Sequence, residues 1–180
     1  MSDLERAAQR LAKGDDSAFD EIVEATNAKL VRVAARVLGS VADAEDVVQE
    51  AYVKVYSALT DGSFDGRSKV ETWLYRVVVN ASIDAKRSRM RKREDELSDS
   101  PEIGGGWTGQ ASAETTLALK EIASMLDELP EEQRGAMVLK SFEGMSSAEI
   151  AEVLEISEGA VEQRLVRARA ALRGKVKDHD

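Results

Sequence analysis

Between Leu129 and Arg173 the chain spells out two helices and the bend that joins them. Ser146 is followed three residues later by Glu149, a capping-box pattern in which hydroxyl and carboxylate satisfy orphan backbone donors at a helix start, so a helix opens near Ser147. Ile150, Ala151 and Leu154 then fall at helical spacing, and Ala151 is small enough to let a second helix cross closely. Glu155 and Ile156 make the turn, and Ser157 is a good cap for the second helix. In that second helix Val161, Leu165, Ala168 and Leu172 return every three or four residues and face inward.

The outward face sets the chemistry. Ser157 stands at the entrance, and Glu158, Ala160, Glu162, Gln163, Arg164, Arg167, Arg169 and Arg173 lie wholly or partly on the outer face. Such a helix suits a DNA major groove, with its first turns at base edges and its later arginines on phosphates. The competing reading is an amphipathic hairpin inside a helical bundle. The comb of arginines disfavours it.

Composition narrows the fold class to all-α. Both prolines lie outside the periodic segments, and aromatic content of 4% is poor material for sheets. With 180 residues and 43% apolar content the chain can pack one ordinary core or two small ones. There is no cysteine, hence no disulfide and no thiolate metal site. The opening MSDLERAAQR is charged throughout, unlike a signal peptide, and no apolar run approaches membrane-spanning length, so a soluble cytoplasmic protein is expected.

The formal charge of -9 is awkward for a DNA-binding chain, yet its distribution is zoned. One block holds Lys86, Arg87, Arg89, Arg91, Lys92 and Arg93, and another holds Arg164, Arg167, Arg169, Arg173, Lys175 and Lys177. Screening limits a field to about 10 Å, so each local cluster matters more to a nearby phosphate than the whole-chain sum. Either block alone could be a solvated helix end complementing its macrodipole; two such blocks are less easily explained that way.

Along the chain, residues 1–93 read as one helical domain. A short N-terminal helix precedes a longer one carrying Phe19, Ile22, Val23, Leu30, Val33, Ala34, Val37 and Leu38, closed by Gly39. Ala44, Val47, Val48, Ala51, Val55 and Leu59 repeat the pattern. After a loop from Thr60 to Lys69, a further helix carries Trp73, Leu74, Val77, Val78, Ala81 and Ile83 into the basic block. Residues 94–113 break the grammar: glycines, serines, Pro101 and five acids without a base predict a flexible linker, with Trp107 as its one aromatic. The triple glycine there is no phosphate loop, because no Gly-Lys-Ser/Thr comes after it. Residues 114–180 form the second domain, with Leu117, Leu119, Ile122, Met125, Leu126 and Leu129 on its first helix and Pro130 starting the next.

Three separated stretches, DAEDVVQEAYVKVY (Asp43 to Tyr56), FDGRSKVETWLYRVVVNASIDAKR (Phe64 to Arg87) and LPEEQRGAMVLKSFEGMSSAEIAEVL with the arginine-rich helix after it, together resemble an extracytoplasmic-function (ECF) sigma factor. The resemblance runs from about Phe19 to Arg173 and leaves out the linker. It implies two small helical domains, a promoter-melting domain and a helix-turn-helix domain, in a factor that directs core RNA polymerase to promoters. By that match Asp43, Glu45, Asp46, Gln49 and Glu50 dock on the clamp helices of the largest polymerase subunit, while the second domain meets the flap of the second subunit. Carboxylates at a helix N-terminus suit its dipole and offer bidentate partners to arginine; metal binding is the alternative use of such a cluster. Phe64, Ser68, Lys69, Arg76, Asn80, Asp84, Lys86 and Arg87 match the reader of the single-stranded minus 10 element, with Trp73 packing the core. Ser157, Glu158, Ala160, Glu162, Gln163, Arg164, Arg167 and Arg169 match the reader of the duplex minus 35 element, and the acidic linker threads toward the active-site cleft. The resemblance also implies an anti-sigma partner, membrane-anchored in the family's usual arrangement, a monomer on polymerase, and no cofactor.

Departures from the family pattern fall at the DNA-reading residues. Glu155 stands where glycine is frequent in the turn, Ala160 and Glu162 where threonine and a basic residue are frequent, and Glu71 precedes Trp73 where arginine is common. Carboxylates repel phosphate but accept from cytosine N4, so Glu162 can read a base. Asp61, Ser63, Asp65 and Gly66 echo a calcium loop, but Thr72 sits where the bidentate glutamate is required. No nucleophile and base accompany the single histidine, His179, which disfavours an enzyme. Two other functions stay open on these residues: a stand-alone helix-turn-helix regulator, and a sigma mimic that occupies an anti-sigma partner.

Overall fold

The computed structural model describes residues 2–96 and 124–177. The linker core with Trp107, the part of the helix expected from Glu114 that precedes residue 124, and His179 lie outside the described residues. Seven helices are described: α1 (Asp3–Ala12), α2 (Ser17–Leu38), α3 (Val41–Thr60), α4 (Val70–Glu96), α5 (Glu131–Ser141), α6 (Ser147–Leu154) and α7 (Glu158–Lys177), with a helical turn over 124–127 before α5.

Local chemistry sets these boundaries. A capping box between Ser2 and Glu5 opens α1, and Ser40 Oγ accepts the Asp43 amide at the start of α3. Gly39 closes α2 in the left-handed conformation, φ 80°, which glycine adopts without a side-chain penalty. Helices α1 to α4 bury Ile22, Val33, Val37, Val48, Val55 and Leu74. Inside that bundle the buried Thr26 and Tyr52 hydroxyls pair at 2.7 Å, and Phe19 packs edge-on to Tyr52 and Tyr56. Around α5, α6 and α7 a second set is buried, including Val138, Leu139, Ile150, Val153, Val161, Leu165 and Ala168.

The two sets form one continuous core, because α4 packs directly on α5 and α6, and α2 on α5. Gly135 lies at the close approach: a Cβ there would stand 2.9 Å from Ile83 Cδ1, the far end of a flexible side chain. Arg134, next to it, is fully buried. Taking a guanidinium out of water costs several kcal/mol unless its donors are satisfied. Here Nε donates to the Arg36 carbonyl at 2.7 Å and NH1 pairs with Asp127, whose carboxylate also takes the Lys86 ammonium at 3.0 Å. Gly39 completes this corner, since a Cβ on it would fall 2.8 Å from Asp127 Oδ1.

Candidate nucleic-acid interface

Helix α7 and its approach obey the grammar of the sequence. The Ser146–Glu149 capping box is formed, and Ser157 Oγ accepts the Ala160 amide at 3.1 Å. Glu155 takes the left-handed conformation between the two helices, φ 55°, a position more often held by glycine, and is the one non-glycine residue with positive φ among those described. Val161, Leu165 and Ala168 are fully buried and Leu172 is half-buried. Consequently Ser157, Glu158, Glu162, Gln163, Arg167, Arg169 and Arg173 are exposed, and Ala160 and Arg164 half-buried. Some of these side chains are already engaged: the Glu162 carboxylate accepts from Ser147 Oγ, Arg164 pairs with Glu132 at 2.9 Å, and Arg173 Nε donates to the Arg169 carbonyl at 3.3 Å.

The loop between α3 and α4 is braced from within. Asp61 accepts the Ser63 amide at 2.8 Å, Asp65 accepts the Arg67 amide at 3.0 Å, and the Phe64 ring lies 4.5 Å from that of Trp73. Trp73 is thus a half-buried core residue, packed against Phe64. Loop and α1 border an open cleft of about 430 Å³ lined by Glu5, Gln9, Leu59, Phe64, Ser68 and others. Lys69 and Asp84 are exposed, and Asp84 lies 3.8 Å from Arg87.

Four residues matched to the minus 10 reader turn instead to the second block. Arg76 Nε donates to the Glu152 carbonyl at 3.2 Å, and the Asn80 amide donates to the Val153 carbonyl at 3.3 Å. Lys86 reaches the Leu38 carbonyl and Asp127, while Arg87 pairs with Glu131 at 3.1 Å and Glu132 at 3.0 Å. Glu132 therefore holds one arginine from α4 and one from α7. Burial lowers the pKa of Lys86, and the Arg134 charge adds to that effect against Asp127. Near this seam the buried Tyr75 hydroxyl donates to Glu143 at 2.6 Å; burial and that carboxylate push its pKa far above the ordinary tyrosine value, so it remains a donor. Arg36 lies 4.3 Å over the Phe142 ring.

On α3 the pattern divides cleanly. Ala44, Val48, Ala51 and Val55 are buried, while Glu45, Asp46, Gln49 and Glu50 are exposed on the other face. Asp43 is half-buried and pairs with Arg89 of the basic block. Among the described residues no group of three or more His, Cys, Asp or Glu side chains could hold a metal ion, and no helix is long and apolar enough to cross a membrane.

The role of Arg134, Asp127 and Tyr75 in joining the blocks went unread in the sequence. A signal was available in Gly135, an interior helical glycine of the kind that can mark a close approach, and it was not read.

A bundle with an acidic outer face, a basic helix beside it and a helix-turn-helix stacked on both defines a sigma-70 type of protein. Residues 22–92 match the family model Sigma-70 region 2, and residues 119–172 match Sigma-70, region 4. The chain is 34% identical to the ECF RNA polymerase sigma factor SigW of Bacillus subtilis over 97% of both chains. It is also 34% identical to the ECF RNA polymerase sigma-E factor of Escherichia coli, over 93% of this chain and 91% of that one. Among solved structures, CnrH in complex with the cytosolic domain of CnrY is similar with a TM-score of 0.73 at 29% identity, covering 99% of this chain and 100% of that one. The chain belongs to the ECF sigma factors.

Proposed function

We propose that this chain, as an alternative sigma factor, binds core RNA polymerase through α3 and directs promoter-specific initiation through α4 and α7. The observation that carries the reading is the division of α3, whose Glu45, Asp46, Gln49 and Glu50 stand opposite its buried apolar row. A carboxylate face of this kind is unspent in packing and suits arginines on a partner. The loop with Phe64, Ser68 and Lys69 and the helix with Arg76, Asn80, Asp84, Lys86 and Arg87 read the opened minus 10 strand, where aromatic and cationic groups suit single-stranded bases. Residues Ser157 to Arg169 of the second helix-turn-helix element read the minus 35 duplex. The division into 1–93, a linker over 94–113, and 114–180 assigns one promoter element to each end of the chain. The protein works in the cytoplasm beside polymerase, with no catalysis of its own. An anti-sigma partner fits the likeness to CnrH, which was solved in complex with the cytosolic domain of CnrY.

Reconstituted transcription tests this. Core polymerase with the chain initiates at a cognate promoter, while the chain alone binds DNA weakly and with strong salt dependence. Failure to bind core polymerase in a pull-down sinks the reading and favours the mimic or the stand-alone regulator.

A further inference from the structure

The carboxylate of Glu132 sits where two DNA readers meet. Its Oε1 takes Arg87 NH2 at 3.0 Å and its Oε2 takes Arg164 NH2 at 2.9 Å. Arg87 belongs to α4 and Arg164 to α7, so one side chain bridges both helices. Glu131, one residue earlier, adds a second contact to Arg87 at 3.1 Å. Two guanidiniums facing one anionic group is the arrangement they would make on a phosphate. The neighbouring contacts have the same character, since Arg76 and Asn80 donate to the carbonyls of Glu152 and Val153 at the end of α6.

We propose that Glu132 is an internal phosphate mimic that holds the free chain closed, with the minus 10 and minus 35 readers bound to the protein instead of to DNA. The inference rests on the DNA-reading roles proposed above for α4 and α7. Glu132 and Arg87 keep partial access to water, so each pair alone is weak; the latch acts because a single carboxylate joins two elements and the apolar seam at Gly135 and Ile83 holds them in register. Opening exchanges these contacts for phosphate or for polymerase. A purely local role, in which Glu131 and Glu132 only complement the N-terminus of α5, predicts loss of helix stability without any change in closure.

Full-length chain carrying Ser57→Cys and Ala170→Cys, both exposed positions in a chain without native cysteine, reports closure by energy transfer between two dyes. Sodium chloride, by screening the pairs, is expected to lower the transfer efficiency of the parent; Glu132→Lys is expected to lower it without added salt and to remove that salt response. Arg164→Gln, which leaves the start of α5 intact, is expected to move the same readout in the same direction. Glu132→Gln is expected to raise the affinity of the free chain for an open-fork promoter fragment by roughly threefold to tenfold. Unchanged transfer and unchanged salt response in both Glu132→Lys and Arg164→Gln would overturn the latch. Closure is read without polymerase or DNA, so its failure is distinct from failure of the proposed function, which transcription reports.

Discussion

Asn80 donates its side-chain amide to the main-chain carbonyl of Val153 across 3.3 Å, joining positions 73 residues apart. Asparagine is also a residue suited to bidentate contact with a base edge, and its amide is here spent on the helix-turn-helix block. The contact joins α4 to α6, and beside it α4 also packs closely on α5, where a Cβ on Gly135 would stand 2.9 Å from Ile83 Cδ1.

Gly135→Ala and Gly135→Val therefore differ in outcome. An alanine Cβ meets only the far end of the Ile83 side chain, which can turn aside, and the helix gains about 1 kcal/mol of propensity, so stability stays within about 0.5 kcal/mol of the parent. Valine adds two methyl groups to the same spot and costs about 1–3 kcal/mol by overpacking. Urea midpoints of the two variants check this; equal midpoints would refute the close approach.

Acid sensitivity arises at the Asp127 corner. Burial alone raises the pKa of Asp127, but the Arg134 charge and hydrogen bond, with Lys86, outweigh it and hold the carboxyl below its ordinary value. Glu131 is also held low, first by a backbone hydrogen bond and then by Arg87. A carboxyl whose folded pKa is depressed stabilises above its unfolded value and loses that contribution as pH falls through the folded one. Stability is thus steady above the ordinary carboxylate range and declines as pH falls through and below it. Asp127→Asn should make that decline shallower, measured as the urea midpoint against pH; an identical slope in both proteins would remove Asp127 from the account.

Asp46→Arg tests the α3 face. Asp46 lies on the face away from the buried apolar row, so the variant should keep its far-ultraviolet circular dichroism, while affinity for core polymerase falls about tenfold or more. Binding of the variant at parental strength would argue that α3 docks elsewhere or not at all.

Arg167 and Glu162 should separate affinity from specificity. Arg167→Ala, if the side chain meets phosphate, weakens polymerase-bound promoter affinity evenly across sequences and flattens the salt slope by roughly one unit. Glu162→Gln should instead relax preference at one minus 35 position by about 1–3 kcal/mol, seen by sequencing selected promoters. An even loss for both variants would deny Glu162 a base.

Much of the fold was legible because its signals are local. Ser146 with Glu149, Ser157 and the row Val161, Leu165, Ala168 and Leu172 need no distant partner to specify two helices and a turn, and the structure has them. Gly39 marks the end of α2 in the same way. The seam between the blocks was not legible. Arg134 reads as a surface residue on a helix, and nothing near it in sequence announces that Asp127, Lys86 and the Arg36 carbonyl close around it. The separate tasks of Arg76, Asn80, Lys86 and Arg87 were hidden for the same reason: their partners lie 41 to 76 residues away. Charge pattern reveals that a helix is basic, while only packing reveals which anion it is holding.

Helix α4 carries two loads on one stretch of residues, and this links traits that selection could otherwise treat separately. A substitution at Arg76, Asn80 or Arg87 that suits a new promoter also changes how firmly the resting chain is shut. Lineages descending from such a chain would inherit specificity and quiescence as a pair, with Glu132 the natural site of compensation. Phe64 and Ser68, which line the cleft against α1, can diversify without disturbing those closing hydrogen bonds.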